Sequence, residues 1–239
     1  DNSNHNGEVP FFATYDYNGV SWVERPDRDT YSEGIADISI NDNGDRLAIT
    51  TSGFGGKVYV SKYSDNSWTQ LGSSISLDIG AYSRSVSLNG DGTILAIGDD
   101  QYSSAKGKVE VYQFVGSDWT PMGGDLVGEN DGDWFGYHTS ISRDGTKLAV
   151  GGMGTDSGRG KVEVYSFNGT SWFQLGQDML GDSSEGDKFG RSVSLSADGS
   201  TVVGGSIDGG ENYKGYAKVF RLDSDLDGDG VNDDVDNCP

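Results

Sequence analysis

Cysteine occurs once in 239 residues, at Cys238. A domain stapled by its own disulfides needs an even set, and a structural zinc site needs several soft ligands, so neither describes residues 1 to 237. Proline is almost as scarce, at 4 residues against 38 glycines, which removes the collagen-like and proline-rich linker classes. Basic residues are few: 17 Lys and Arg face 38 Asp and Glu, for a formal net charge of −21. Nucleic acid is a poor partner for such a surface, because phosphate binding works through clustered Lys and Arg that release counterions. No apolar run approaches the roughly 18 residues of a membrane-spanning helix, so no membrane insertion is expected. The only histidines are His5 and His138, and no serine sits in a nucleophile elbow. A nucleophilic triad therefore has no basis, and the chain reads as a non-enzyme. It opens on Asp1 rather than Met, as a processed or trimmed product would.

What is abundant is repetition. Trp22, Trp68, Trp119 and Trp172 are spaced 46, 51 and 53 residues apart. Gly44, Gly92, Gly145 and Gly199, each after Asn or Asp, are spaced 48, 53 and 54 apart, and Lys57, Lys108, Lys161 and Lys218, each opening a Lys-Val-x-Val-like run, 51, 53 and 57. Self-similarity at such a period marks a propeller, solenoid or array. Within a unit, Ser192 to Leu195 alternates, Asp198-Gly199 turns, and Thr201 to Gly204 is a short buried run; Lys161 to Phe167 alternates, Asn168-Gly169 turns, and a strand follows around Ser171 to Leu175. Two hairpins, hence four short strands, fill about 50 residues. Helical spacing of apolar residues is absent, so no substantial helix is expected. The reading is an all-β chain, a β-propeller of about four four-stranded blades, with an open β-solenoid as the alternative. A core is within reach, with 5 Trp, 12 Tyr and 9 Phe.

The units resemble the FG-GAP-like propeller repeats of secreted and cell-surface proteins, including the integrin α propeller. Phe135-Gly136 and Phe189-Gly190 match the Phe-Gly element, and Leu148 to Gly152 and Val202 to Gly205 fall where Gly-Ala-Pro belongs. Met153 and Ser206 replace the proline, Tyr82-Ser83 replaces Phe-Gly in the second unit, and Gly34 to Ala36 are looser still. The resemblance covers residues 12 to 222. It divides the chain into a flexible segment 1–10, units near 11–33, 34–80, 81–133, 134–187 and 188–222, and a tail 223–239.

The ends do not balance. First strands lie near Ile38, Val86, Ser140 and Val193, second strands near Leu47, Leu95, Leu148 and Val202, and fourth strands at the four tryptophans. The third strand occurs five times: Phe12 to Tyr17, Lys57 to Tyr63, Lys108 to Phe114, Lys161 to Phe167 and Ala217 to Leu222. Two closures fit this count. The Trp22 strand completes the last blade of its own chain, leaving the Phe12 strand surplus, or the N-terminal hairpin of one molecule completes the last sheet of its neighbour.

The tail carries 7 Asp and no Lys or Arg, so −7 of the −21 lies there and −14 in residues 1 to 222. Asp225, Asp227, Asp229, Gly230, Val231, Asp233 and Asp236 occupy positions 1, 3, 5, 6, 7, 9 and 12 of a calcium loop, with oxygen ligands on alternate residues and the Val231 carbonyl at 7. The alternative is a solvated acidic linker. The ending Asp236-Asn237-Cys238-Pro239 resembles the start of a thrombospondin type 3 repeat. That resemblance implies bound Ca²⁺, a disulfide from Cys238 to a partner outside this chain, continuation past Pro239, and an extracellular or cell-surface location.

Other candidates are weaker. His138 stands where other units have Asp37, Ser85 and Ser192, as a repeat substitution would. The segments Glu129 to Asp133 and Asp182 to Asp187 read as polar turns or weak calcium sites. The tryptophans, with Tyr59, Tyr112 and Tyr165, read as packing residues or as stacking platforms for sugars. Arg84 and Arg191 recur beside the first strand as ties between blades. Asn168-Gly169-Thr170 is the only glycosylation sequon, on a predicted exposed turn. The functional expectation is a secreted adhesion or structural protein with itself, extracellular proteins or glycans as partners. The alternative is a lectin or carbohydrate-active enzyme using the propeller face.

Overall fold

The computed structural model describes residues 11–25, 29–30, 34–51, 56–77, 83–182, 186–210 and 214–222, with 29, 30, 83 and 84 described by backbone alone. The chain opens with two small pairings: β1 (Phe11–Phe12) with β4 (Asp29–Thr30), and β2 (Tyr15–Tyr17) with β3 (Trp22–Glu24). Three antiparallel meanders follow. The first sheet is β5 (Ile35–Ile40), β6 (Arg46–Thr51), β7 (Lys57–Ser64) and β8 (Ser67–Gln70), with β9 (Ile75–Ser76) back on β7. The second is β10 (Ser83–Leu88), β11 (Ile94–Asp99), β12 (Lys108–Val115) and β13 (Asp118–Pro121), with β14 (Leu126–Val127) on β12. The third is β15 (Phe135–Ile141), β16 (Lys147–Gly152), β17 (Lys161–Phe167) and β18 (Trp172–Gln174), with β19 (Met179–Leu180) on β17. The last sheet has three strands, β20 (Ser192–Leu195), β21 (Thr201–Ser206) and β22 (Tyr216–Arg221).

The period has a local cause at the first turn of each sheet. In all four, a glycine with positive φ donates its N–H to the carbonyl three residues back: Gly44 to Asn41, Gly92 to Asn89, Gly145 to Ser142 and Gly199 to Ser196. The same Asn or Ser accepts, through its side chain, the N–H of the residue five positions on, Arg46, Ile94, Lys147 or Thr201. Each turn is thus closed by main chain and side chain together, which fixes hairpin register. The Ser196 hydroxyl, with the N–H and hydroxyl of Ser200, holds the Asp198 carboxyl down at about 2.

Each full sheet has five strands rather than four. The fourth bends at Gly72, Gly123 or Gly176, all with positive φ, and the chain beyond pairs with the opening residues of the third strand. Helix is almost absent among the described residues: Tyr102–Ala105 and Thr155–Gly158 are single turns whose central residues Ser103, Ser104, Asp156 and Ser157 have positive φ. The strand expected over Phe12 to Tyr17 is broken, with β1 and β2 pairing to different partners.

The sheets stack face to face in chain order, as propeller blades do. One apolar cluster joins the first and second sheets around Val58, Val60, Val86 and Leu95. A second joins the second and third around Val109, Val111, Ile141 and Leu148, and another joins the third and fourth around Val162, Val164, Val193 and Val202. The N-terminal segment covers the remaining face of the first sheet through Phe12, beside Leu47, Ile49 and Trp68. The stack does not close within the described residues. The Trp22 strand pairs with β2 and not with β22, and the inner strands β5 and β20 share no extended packing.

Candidate interaction site at the sheet joints

Three devices hold each sheet to the next. The first is the Phe-Gly element. Phe135 and Phe189 are completely buried, and each forms a parallel bridge to a glycine of the preceding sheet, Gly107 or Gly160. The main chains approach so closely that a Cβ on Gly98 would strike the Gly136 carbonyl, and one on Gly151 the Gly190 carbonyl. Only glycine admits that crossing. The element is a buckle between sheets, which explains its position at the start of a unit.

The second device is tryptophan. Trp68, Trp119 and Trp172 are 6–8% exposed, and each crosses to the preceding unit. The indole N–H of Trp119 donates to Leu71 O at 2.9 Å, that of Trp172 to Met122 O at 3.0 Å, and that of Trp68 to Thr14 Oγ1 at 3.3 Å. The bend glycines lie beneath these rings: a Cβ on Gly72 would come 3.0 Å from Trp119, and one on Gly123 2.8 Å from Trp172. Packing, the first of the two sequence readings, therefore describes these three residues. Trp22 departs from it, at 71% exposed, touching Tyr17 at 5.3 Å between ring centres. Gly176, the third bend glycine, has nothing within 4 Å of its Cβ position.

The third device is a ladder of short polar side chains on the inner strands. Asp37 Oδ2 accepts from Val86 N and Ser39 Oγ from Leu88 N, both at 2.9 Å. Ser85 Oγ accepts from Thr139 N at 2.8 Å, Ser87 Oγ from Ile141 N at 3.1 Å, and Ser140 Oγ from Leu195 N at 3.0 Å. His138 takes the place of Asp37 and Ser85, as its place in the repeat implies. Its Nδ1 is buried with no hydrogen-bond partner among the described residues, and burial pushes its pKa down, against the pull of Asp37. A largely buried, neutral imidazole on a packed strand interrupts the ladder. Sequence reasoning missed the ladder and the bend glycines, although Ser-x-Ser and the pairs Leu71-Gly72, Met122-Gly123 and Leu175-Gly176 repeat visibly.

Within the third sheet lies the most strongly perturbed charge cluster. Lys161 Nζ sits 3.1 Å from both Glu163 Oε1 and Asp178 Oδ2, and Lys161 and Glu163 are 1% and 4% exposed. Burial pushes the Glu163 carboxyl up to about 7, against the attraction of the Lys161 ammonium. Burial, with Glu163 beside it, also raises the Tyr165 phenol. The second sheet repeats the pair as Lys108 and Glu110, 3.2 Å apart. In the third sheet Asp178 thereby ties the third strand to the chain beyond the bend glycine Gly176.

The Lys markers need one correction. Pairing places Lys218 opposite Gly204, where Glu163 stands opposite Val150, so the counterpart of Lys161 is Tyr216. Lys218 reaches the third sheet through Asp182 Oδ1 at 2.5 Å and Leu180 O at 3.1 Å.

Asn168 lies exposed on the β17–β18 turn, where its Oδ1 accepts from Thr170 N and Ser171 N at 3.0 and 2.9 Å. Arg191 ties the fourth sheet to the third through Tyr137 OH at 3.0 Å, while the Arg84 side chain is outside the described residues. In the inter-blade segments Asp133 Oδ2 accepts from Asn130 N and so closes a local turn, whereas Asp187 Oδ2 accepts from Tyr216 OH on β22, across to the fourth sheet. The calcium-loop residues Asp225, Asp227, Asp229, Val231, Asp233 and Asp236, together with Cys238, His5, Tyr82 and segment 1–10, lie outside the described residues.

No family model and no curated protein sequence matches the chain. Among solved structures, 664 chains match. One is hydrazine synthase of Kuenenia stuttgartiensis, at 17% identity and a TM-score of 0.56, over 79% of this chain and 46% of that one. The match spans less than half of that chain, and the likeness speaks to fold alone. What the two share is an all-β, propeller-like arrangement of antiparallel sheets.

Proposed function

We propose that the chain is a non-enzymatic secreted or cell-surface scaffold, serving adhesion or structure, that joins copies head to tail into a fibril. In this reading the N-terminal hairpin of one copy completes the last sheet of the next. Trp22 carries the reading. It has the strand and neighbouring aromatic of its three equivalents but lies 71% exposed, while among the described residues β22 has no fourth strand beside it and Gly176 no covering ring. A donated β3 gives the β22 edge its missing neighbour and sets Trp22 over Gly176, with the indole N–H directed at Leu175 O. The FG-GAP and thrombospondin type 3 resemblances supply the extracellular setting, with Ca²⁺ held by the carboxylates of Asp225, Asp227, Asp229, Asp233 and Asp236 and the Val231 carbonyl.

The test is the solution mass of the full chain and of the chain without residues 1–25, each in calcium and in chelator. The expected result is concentration-dependent association of the full chain and a monomer after truncation. A full chain that stays monomeric at every concentration overturns the reading. Melting curves from the same samples read the tail, and identical curves in calcium and chelator remove the metal assignment.

A further inference from the structure

We infer that the free face of the last sheet is a docking surface for the inner strand of the first sheet in a second copy of this chain. This rests on the head-to-tail reading and names the face that carries it. The three joints inside the molecule define what such a face needs. At each, an Ala-Val-Val trio on the second and third strands is buried by the apolar residues of the next inner strand: Ala48, Val58 and Val60 under Val86 and Leu88, and Ala149, Val162 and Val164 under Val193 and Leu195. The second sheet offers Ala96, Val109 and Val111 to Ile141 in the same way.

Register gives the fourth member. Val203 is paired with Ser194 as Ala149 is with Ser140, Ala217 with Gly205 as Val162 with Gly151, and Val219 with Val203 as Val164 with Ala149. The trio is thus Val203, Ala217 and Val219. The carbons gained at Val203 are those lost at Ala217, so the apolar volume of the face is kept. Its buried counterparts are less than 5% exposed, yet Val219 is 67% exposed. At the other end of the molecule, Ile38 and Ile40 stand where Val86 and Leu88 do and are 58% and 54% exposed. One end carries the receiving face and the other the inserting pair.

The hydrogen-bond pattern continues across the same gap. Ser192 and Ser194, both exposed, repeat Ser85 and Ser87, and the N–H groups of Ile38 and Ile40 repeat those that Ser85 and Ser87 receive. A second ladder runs along the first turns: Asp42 N to Gly90 O, Gly90 N to Arg143 O, and Arg143 N to Ala197 O. Its next step is Ala197 N to Asp42 O of the second copy. Phe12 now packs beside this face of the first sheet, so docking replaces β1 and β2 with β22, in keeping with donation of β3. The contact is heterologous, so copies add in one direction.

Two exposed-face substitutions test it: Val219→Glu spoils the receiving face, and Ile40→Glu the inserting one. Each variant alone is expected to lose all species above the monomer, whereas their mixture forms dimers that grow no further, since only one compatible joint remains. Val115→Glu, 55% exposed on the β12–β13 hairpin, controls for charge and is expected to associate like the wild type. Association of Val219→Glu undiminished, or a mixture that stays monomeric, overturns the inference. If the Val219→Glu chain associates while removal of residues 1–25 abolishes association, strand donation stands and face docking fails; the reverse pattern sinks strand donation and keeps the face.

Discussion

Trp119 is anchored on β13 yet donates its indole N–H to Leu71 O, so its ring packs between two sheets. Truncating it leaves a cavity at the joint and an acceptor without its donor. We expect Trp119→Ala to cost about 3–5 kcal/mol in denaturant unfolding. Trp22→Ala, at a site 71% exposed, should change the stability of the monomer by less than about 0.5 kcal/mol. Equal losses at the two positions would place Trp22 inside a buried joint of its own chain. The tryptophan period is plain in the sequence; the direction in which each ring reaches is not, because spacing carries period without polarity. Lys218 teaches the complementary lesson. Its Lys-Val pair matches the motif by letter, but the β21–β22 pairing sets register, and it seats Tyr216 at the motif's lysine position.

Within the third sheet, the buried cluster couples folding to pH through Glu163. Its carboxyl titrates near 7 when folded, against 4.5 ordinarily, so between those values the folded chain holds the proton more tightly than the unfolded one. Stability from this group is therefore greatest at the acid end, declines as pH rises through that window, and is flat above it. His138, held low by burial, acts oppositely over part of the same window, since protonation there favours the unfolded chain. The difference between the wild type and Glu163→Gln removes that contribution. We expect the wild type's stability relative to the variant to fall by on the order of 2 kcal/mol between pH 5 and pH 7.5 by urea unfolding. A constant difference would mean that Glu163 stays ionised beside Lys161. The alternation Lys161-Val162-Glu163-Val164-Tyr165 is legible as a strand. That its polar residues face a bend closed by Asp178, rather than water, follows from the Gly176 turn.

As a whole the molecule is a line of sheets, each in contact with its neighbours, so stability is a sum of sheet and joint terms. The second strands β11 and β16 have packed sheets on both sides, while β22 and the β2–β3 hairpin have one side exposed. Hydrogen exchange followed by mass spectrometry should be slowest in β11 and β16 and fastest in β2–β3 and β22. Under associating conditions the slowing should be largest in β5, β20 and β22. Uniform protection along the chain would argue for a closed ring.

The order of residues alone specifies four repeats of about 50 residues, their hairpins, and one third strand too many, because alternation and Asn/Asp-Gly turns act over a few neighbours. It leaves open whether the spare strand closes its own ring, because that depends on how far each joint rotates one sheet on the next. The glycine crossings, Phe-Gly buckles and serine ladders set that rotation, and they join residues 28 to 55 apart in the chain. Their sum leaves Ile38 and Ile40 at one end and Val219 at the other, both facing water.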